Sequence, residues 1–405
     1  MKDLIAGIMC GGAGKRLWPL SQESKPKQLL KLIGNQSSLQ RIISIINKSN
    51  IDVTLIGNKI HRNEIIEQTS SEKLHFNTAI WENEGRNTAF AISSFAHKVK
   101  KENGENAVIV IIPSDQYWGD ENVLIKGLEK ISNYARKNNK IVCVGVKPQF
   151  ASSDYGYVFI HQKSNQKRKK ESIKKIEKFC EKPSVEIANH YIQNNNCFWN
   201  SGIYCAKAKV FLNEIRKHAP EVFFESQKLV ERAMNDNEKN NNREIFLQVH
   251  DVDIPNQKIN FKLLDDIKVY LNKSFDSIDK AVIEKCQNNV VCLDLGDVVW
   301  EDIGSFIGLT RASQHSPNQE NITMINTCNS YAYSDEKPLY VLGADNIVIL
   351  NLSDKIIVMD QKYADQIKRN NYLPLTKVND NTIIMKNFTD PKILSKIASL
   401  KISDI

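Results

Sequence analysis

The sequence predicts an α/β protein with a mostly parallel, mixed sheet and a small β-rich C-terminal domain. Three observations carry that reading. Short β-branched runs alternate with segments of helical spacing through the first half of the chain. A glycine-rich turn follows the first run directly, and beyond about residue 314 helical spacing gives way to short strands with turn residues between them.

In order, Leu4 to Met9 reads as a buried first strand, and Ser37-x-x-Gln40 has capping-box form before Leu39, Ile42, Ile43 and Ile46 at helical spacing. Asp52 to Gly57 supplies a second strand. Asn87 through Lys101 reads as a helix with Asn87 as its N-cap. Ala107 to Ile112 is a continuous β-branched run suited to a central strand buried on both faces. A helix is expected from about Glu121 to Lys137 and a strand at Ile141 to Val146. Tyr157 to Ile160 and Ile173 to Phe179 form a hairpin, joined by a solvated turn over Gln162 to Ser172. Asn235 to Asn242, rich in asparagine and charge, reads as a connection between helices. Tyr340 to Leu342, Ile347 to Leu350 and Ile356 to Val358 are C-terminal strands, and Pro391 to Leu400 a short terminal helix. No internal repeat at a fixed long period is seen. The domains are expected at 1–315 and 316–405.

At 405 residues, with 41% hydrophobic and 25% charged positions, the composition is that of a globular chain and not of a disordered or collagenous one. No apolar run reaches the roughly 18 to 20 residues of a membrane span, so no membrane partner is expected. The net charge of +8 is spread thinly, with one basic run at Lys167 to Lys170. That does not make a nucleic-acid binder, but it suits a protein that handles polyanionic small molecules. The eight cysteines include no C-x-x-C pair and are expected to be reduced core residues of a cytoplasmic protein.

The chemistry concentrates in a few short runs. Cys10-Gly-Gly-Ala-Gly-Lys-Arg16 follows the first strand, and Gly11, Gly12 and Gly14 can expose backbone N–H groups to phosphate oxygens because no Cβ blocks their approach. The dinucleotide fingerprint fails, since Leu17 stands where its third glycine belongs, and the P-loop fails because Arg16 follows Lys15. Arg16 and Lys27 flank a proline-stiffened loop and add cations. Asp115 follows the central strand, at the carboxyl end of the sheet where open α/β folds bind ligands. Asp115 and Asp302 could equally cap the helices that follow them.

With Glu84-Gly-Arg-Asn-Thr-Ala89, Ile112-Pro-Ser-Asp115, Tyr155-Gly-Tyr157, Phe179-Cys-Glu-Lys-Pro183, Phe198-Trp-Asn-Ser-Gly202, Ser277-Ile-Asp279 and Trp300-Glu-Asp-Ile-Gly304, the chain resembles the nucleoside-diphosphate-sugar pyrophosphorylases, in their guanylyltransferase branch. The resemblance covers roughly residues 1 to 360. It implies a Rossmann-like nucleotidyltransferase domain, a C-terminal module resembling a left-handed β-helix, and homodimers or higher homo-oligomers. It implies GTP and a hexose 1-phosphate, with α-D-mannose 1-phosphate foremost, as substrates, and Mg²⁺ held by Asp115 and Asp302. By the same resemblance Arg16 and Lys27 meet the triphosphate and Gly85, Asn87 and Thr88 the guanine and ribose. Lys182 meets the sugar phosphate, and Gly156, Glu181 and Asn200 belong to the sugar site. A heptose or fucose derivative, another NTP, or a non-catalytic regulatory subunit are the alternatives. Gln116, Ser153-Asp154 and Phe306 depart from the family pattern. Bifunctional members carry a His-rich cupin for phosphomannose isomerisation; no histidine follows His315 here, so no isomerase activity is expected.

Overall fold

A computed structural model describes residues 3–12, 15–160, 172–193, 197–240, 244–247, 275–316, 319–368, 375–379 and 382–385. Gly14, most of the expected turn at Gln162 to Ser172, Asn241, Asn242 and the expected helix at Pro391 to Leu400 lie outside these residues. The described residues group into two compact units. One comprises 1–11, 39–114 and 120–300, the other 12–38, 115–119 and 301–405.

The chain order opens with β1 (Leu4–Met9), α1 (Ser38–Asn47), β2 (Asp52–Asn58), α2 (Arg62–Ser71), β3 (Thr78–Glu82), α3 (Thr88–Asn103), β4 (Val108–Pro113) and β5 (Gln116–Trp118). It continues with α4 (Glu121–Lys137), β6 (Ile141–Val146), β7 (Tyr157–Ile160), β8 (Ile173–Cys180), α5 (Val185–Gln193), β9 (Cys197–Lys207), α6 (Ala208–His218), α7 (Pro220–Asn240), β10 (Glu244–Leu247), β11 (Val290–Asp294) and β12 (Trp300–Asp302).

The first unit is built on a ten-stranded sheet of order β10-β3-β2-β1-β4-β9-β6-β11-β8-β7. Pairing is parallel from β10 through β4 and again between β6 and β11, and antiparallel where β9, β8 and β7 join, so the sheet is mixed. The continuous apolar runs of β1, β4 and β6 are almost wholly buried, as strands covered on both faces must be. Phe90, Ile92 and Phe95 of α3, Phe211 and Ile215 of α6 and Leu229 and Val230 of α7 share one apolar cluster with the sheet. Asn87 caps α3, its Oδ1 accepting from Thr88 N at 2.8 Å.

Two expectations are corrected. Asn235 to Asn240 is not a connection but the last turns of α7; the apolar stripe Val222, Leu229, Val230 and Met234 is buried, and a helix anchored that firmly propagates into a run of weak helix formers. Cysteines 10, 143, 197, 205, 286 and 292 are buried, but Cys180 is half-buried and Cys328 exposed, so Cys328 is no core residue. It sits at a turn, where Cys328 N donates to Asp345 Oδ1 at 2.7 Å.

In the second unit, β5 pairs with β12. The β-rich region follows as β13 (Ile322–Ile325), β14 (Tyr331–Ser334), β15 (Leu339–Leu342), β16 (Ile347–Asn351), β17 (Ile356–Asp360), β18 (Leu375–Asn379) and β19 (Thr382–Met385). β13 pairs in parallel with β15, and β14 with β16. Both pairings, and the Cys328 to Asp345 bridge between them, join residues 17 positions apart. The same 17-residue offset thus recurs through this region without a matching repeat in sequence.

His97 of α3 is buried against Phe223 of α7, ring centroids 4.7 Å apart, and its Nε2 has no hydrogen-bond partner. Burial lowers its pKa to about 4, with the bond to Phe223 opposing. A group depressed in the folded state gives stability that is complete above its unfolded value near 6.5 and is lost as pH falls through the folded one. Urea unfolding at pH 7 and pH 4.5 is therefore expected to show roughly 1–3 kcal/mol more acid destabilisation in wild type than in His97→Phe. Equal losses would remove His97 from the acid response.

Candidate functional site

The second unit brings three sequence-predicted residues onto one point. Lys27 lies in the single turn Lys27–Leu29, entered through Pro26, and is buried. Its Nζ stands 2.7 Å from Asp115 Oδ2 and 3.3 Å from Asp302 Oδ1. Burial works against the ammonium, yet the two carboxylates outweigh it and raise Lys27 above the ordinary lysine range. The cation is thus firmly held at neutral pH. Ile303 N donates to Asp115 O at 3.0 Å and Gly304 N to Asp302 O at 2.7 Å, which fixes the backbone of both carboxylate loops.

Neither aspartate caps a helix. Asp120 caps α4, accepting from Asn122 N, and Ser305 caps the helix Phe306–Ser313, accepting from Gly308 N. Asp115 and Asp302 are each about one-quarter exposed. Arg16 stands beside them: a Cβ on Gly304 would lie 2.9 Å from Arg16 Nη2 and 3.3 Å from Asp302 Oδ2. Gly304 therefore leaves the space in which that guanidinium sits. Behind the cluster, Arg311 grips Glu301 through two bonds of 2.7 and 3.1 Å.

Of the glycine turn, Gly11 and Gly12 lie within the described residues. A Cβ on Gly11 or Gly12 would meet nothing within 4 Å, so their backbone is approachable, and Gly12 at φ +115° adopts a conformation that other residues rarely take.

In the first unit, Gly85 and Asn87 are exposed and Thr88 half-buried, just ahead of α3. Thr88 Oγ1 accepts from Ile278 N at 2.9 Å. Their neighbours Glu82, Asn83, Glu84, Arg86 and Phe90, with Leu229 and Leu247, line a cleft of about 60 Å³, whose lining does not include Gly85, Asn87 or Thr88. Burial pushes the Glu82 carboxyl up to about 8, although Arg86 opposes this. Arg86 is itself buried, ion-paired with Glu225 and set over the Phe90 ring.

Also in the first unit, Gly156, Glu181, Lys182 and Asn200 come together. Asn200 N donates to Gly156 O at 2.8 Å. A Cβ on Gly156 would fall 2.5 Å from Glu181 Oε2, so a larger residue there would displace that carboxylate. Lys182 is exposed, and its Nζ reaches Glu181 Oε1 at 3.0 Å. Burial, then the neighbouring Asp279, raise the Glu181 pKa above the usual carboxylate range. Trp199, Trp300 and Tyr155 pack against one another beneath this patch, Tyr155 and Trp199 with centroids 4.8 Å apart; these tryptophans serve packing.

Sequence reasoning assigned no role to Tyr204, Asp279 or Glu284, which complete the cluster. Asn200 Nδ2 donates to Tyr204 Oη at 2.6 Å and to Asp279 Oδ1 at 3.0 Å, and Glu181 N donates to Glu284 Oε1 at 3.0 Å. The run Ser277-Ile-Asp279 was already singled out as a motif, and that was the available signal.

Among the described residues no group of three or more His, Cys, Asp or Glu forms a ready metal cage. The pair Asp115 and Asp302 nevertheless suits a hard divalent cation. Two carboxylates already converge on one positive charge, and Mg²⁺ takes one or two carboxylates with substrate phosphates and water in place of a full protein cage.

Comparison with known proteins follows the same lines. A family model described as nucleotidyl transferase matches residues 5–319. Mannose-1-phosphate guanylyltransferase 2 of Escherichia coli O157:H7 is 30% identical over 377 residues, 90% of this chain and 72% of that protein. Mannose-1-phosphate guanylyltransferase RfbM of Salmonella typhimurium is 30% identical over 383 residues, covering 90% and 72%. Among solved structures, mannose-1-phosphate geranyltransferase from Thermus thermophilus superposes with a TM-score of 0.68 at 21% identity, over 91% of this chain and 98% of that one, a likeness of fold.

Replacing Lys27 by Met leaves Asp115 and Asp302 facing each other without their cation. The variant is expected to lose roughly 3–5 kcal/mol at pH 7, as when one partner of a buried ion pair is removed. Added MgCl₂ should raise its melting temperature more than that of wild type. Thermal unfolding with and without magnesium checks both, and an equal response to the ion would break the link between the carboxylate pair and the metal.

Proposed function

Since the chain belongs to the nucleotidyl transferase family, we propose that it is a guanylyltransferase that makes GDP-mannose and pyrophosphate from GTP and α-D-mannose 1-phosphate. The names of the relatives support the substrates. The observation that carries the chemistry is the convergence of Lys27, Asp115 and Asp302.

The attacking group is a phosphate monoester whose second pKa is about 6, so it is already mostly dianionic at neutral pH and needs no general base. Its oxygen forms a bond to the α-phosphorus in line with the bridging oxygen to the β-phosphorus. The bond to that bridging oxygen breaks, and pyrophosphate leaves with the electron pair. The remaining task is to hold two polyanions in line. Arg16 and Lys27 bind the triphosphate, aided by backbone N–H groups of Gly11, Gly12 and Gly14. Gly85, Asn87 and Thr88 hold the guanine and ribose. Lys182 binds the phosphate of the sugar 1-phosphate, and Gly156, Glu181 and Asn200 shape the sugar subsite. Asp115 and Asp302 would hold Mg²⁺, which neutralises charge on the phosphates when bound.

We assign the ligand contacts to residues 1–315. Residues 316–405 are assigned to a module like a left-handed β-helix; the 17-residue offset of its parallel pairings and the positive φ of Asn326, Asn329 and Asn346 at its turns support coiling. The enzyme is assigned as a homodimer or higher homo-oligomer. No helix among the described residues is long and apolar enough to cross a membrane. We place the enzyme in the cytoplasm, without a nucleic-acid partner.

Pyrophosphate release from four NTPs against mannose, glucose, fucose and heptose 1-phosphates tests the substrates, with GTP and mannose 1-phosphate expected to turn over fastest. Another best pair would reassign them, and GDP-mannose binding without turnover would favour a regulatory subunit. Asp115→Asn and Asp302→Asn are each expected to lower turnover about 100-fold or more, with the melting temperature lowered by the loss of one of the two partners of Lys27 but the chain still folded at the assay temperature. Near-wild-type magnesium-dependent rates in both would refute their role.

A further inference from the structure

Asn200 in this structure has little left to give. Its side-chain amide has two N–H donors and one carbonyl oxygen with two lone pairs. One N–H goes to Tyr204 Oη at 2.6 Å and the other to Asp279 Oδ1 at 3.0 Å. The carbonyl oxygen accepts from Gly202 N at 3.1 Å, leaving one lone pair. Tyr204, buried on β9, donates its own hydroxyl to the same Asp279 Oδ1 at 2.5 Å. A single carboxylate oxygen therefore receives two donors and sets which way the Asn200 amide faces. With both N–H groups turned inward, the group Asn200 can offer a ligand is its carbonyl oxygen, an acceptor matched to a hydroxyl donor.

Asp279 is itself placed by its neighbours. It lies in the short helix Ile278–Ala281, whose first residue donates its N–H to Thr88 Oγ1, and whose cap Ser277 accepts from Lys280 N. Five residues on, Glu284 accepts from Glu181 N, so the same segment that orients Asn200 also holds the backbone of Glu181. The stretch 277–285 braces the subsite from behind.

We propose that Asp279 is a positioning residue of the sugar 1-phosphate subsite, acting through Asn200 by holding its amide so that the carbonyl oxygen faces a substrate hydroxyl. The inference rests on the assignment of Asn200 to that subsite. Without Asp279 the amide keeps only its bonds to Gly202 N and Tyr204 Oη and is held less firmly, so that an N–H more often replaces the oxygen that the hydroxyl needs.

The test is a kinetic cycle with the full chain, GTP and mannose 1-phosphate, using Asp279→Ala, Asp279→Asn, Asn200→Ala and the double variant Asp279→Ala/Asn200→Ala. Asp279→Ala is expected to raise KM for the sugar phosphate about tenfold, the loss of one charge-assisted hydrogen bond, while KM for GTP and kcat stay within about twofold. A purely structural role would move both KM values and the melting temperature together, and that result would overturn the proposal. Asp279→Asn keeps an acceptor oxygen and is expected to recover most of the affinity even if the alanine variant folds poorly; failure to recover any would count against positioning. The double variant should be no weaker for the sugar phosphate than Asn200→Ala alone, and a further tenfold loss would mean that Asp279 touches substrate directly. Should Asn200→Ala leave the sugar KM unchanged, the subsite assignment itself fails. Should Asn200→Ala raise it and Asp279→Ala not, only the present inference fails.

Discussion

A lysine ammonium shared by two carboxylates organises the second unit. Lys27 and Asp302 are 275 residues apart in the chain, and Asp115 reaches the same nitrogen from a third segment. Burying an ammonium without partners costs several kcal/mol, so the three loops are obliged to meet once Lys27 is inside. The geometry follows from that obligation. Pro26 delivers the lysine, the backbone bonds from Ile303 and Gly304 hold the aspartates, and Gly304 leaves space for Arg16. Two positive and two negative side chains then stand within reach of one another in a region that water only partly enters. Such a balanced cluster can exchange one cation for another, or an internal anion for a phosphate, without a large change in net charge.

The cluster around Glu181 is built on the opposite principle. Glu181, Asp279 and Glu284 put three carboxyl groups near one exposed cation, Lys182, and burial together with Asp279 makes Glu181 reluctant to ionise. A surface rich in acceptors suits a neutral ligand that brings many hydroxyl donors, and one lysine at its edge suits the single charged group such a ligand carries. Sugar phosphates have that pattern. The cleft by Glu82 and Arg86 is different again, with an apolar wall from Phe90, Leu229 and Leu247 and buried charge at its end. The three environments thus differ in kind: balanced charge, an acceptor-rich surface, and a part-apolar cleft.

Much of this was legible from residue order because strands and glycine turns are local events. β1, β4 and β6 begin and end close to their apolar runs, α4 matches its expected span, and Asn87 caps α3 as its position suggested. The convergence of Lys27, Asp115 and Asp302 was foreshadowed by family motifs, since no local rule places residues so far apart together. What stayed hidden depends on tertiary context. The end of α7 is decided by the buried apolar stripe that leads up to the polar run read as a connection. The alternative of helix caps for Asp115 and Asp302 could be set aside only once Asp120 and Ser305 were seen doing that work. Asp279 bonds a partner 79 positions away, and the 17-residue offset of the C-terminal pairings comes without matching residues, so neither leaves a periodic trace.

The account turns on one place for positive charge between Asp115 and Asp302. Crystals grown with manganese and a non-hydrolysable GTP analogue, measured at the manganese absorption edge, test it most directly. An anomalous peak in coordination contact with both carboxylates, with the Lys27 ammonium moved onto a phosphate oxygen, is the predicted result. A peak bound elsewhere, with Lys27 still bridging the two aspartates while nucleotide is present, would contradict it.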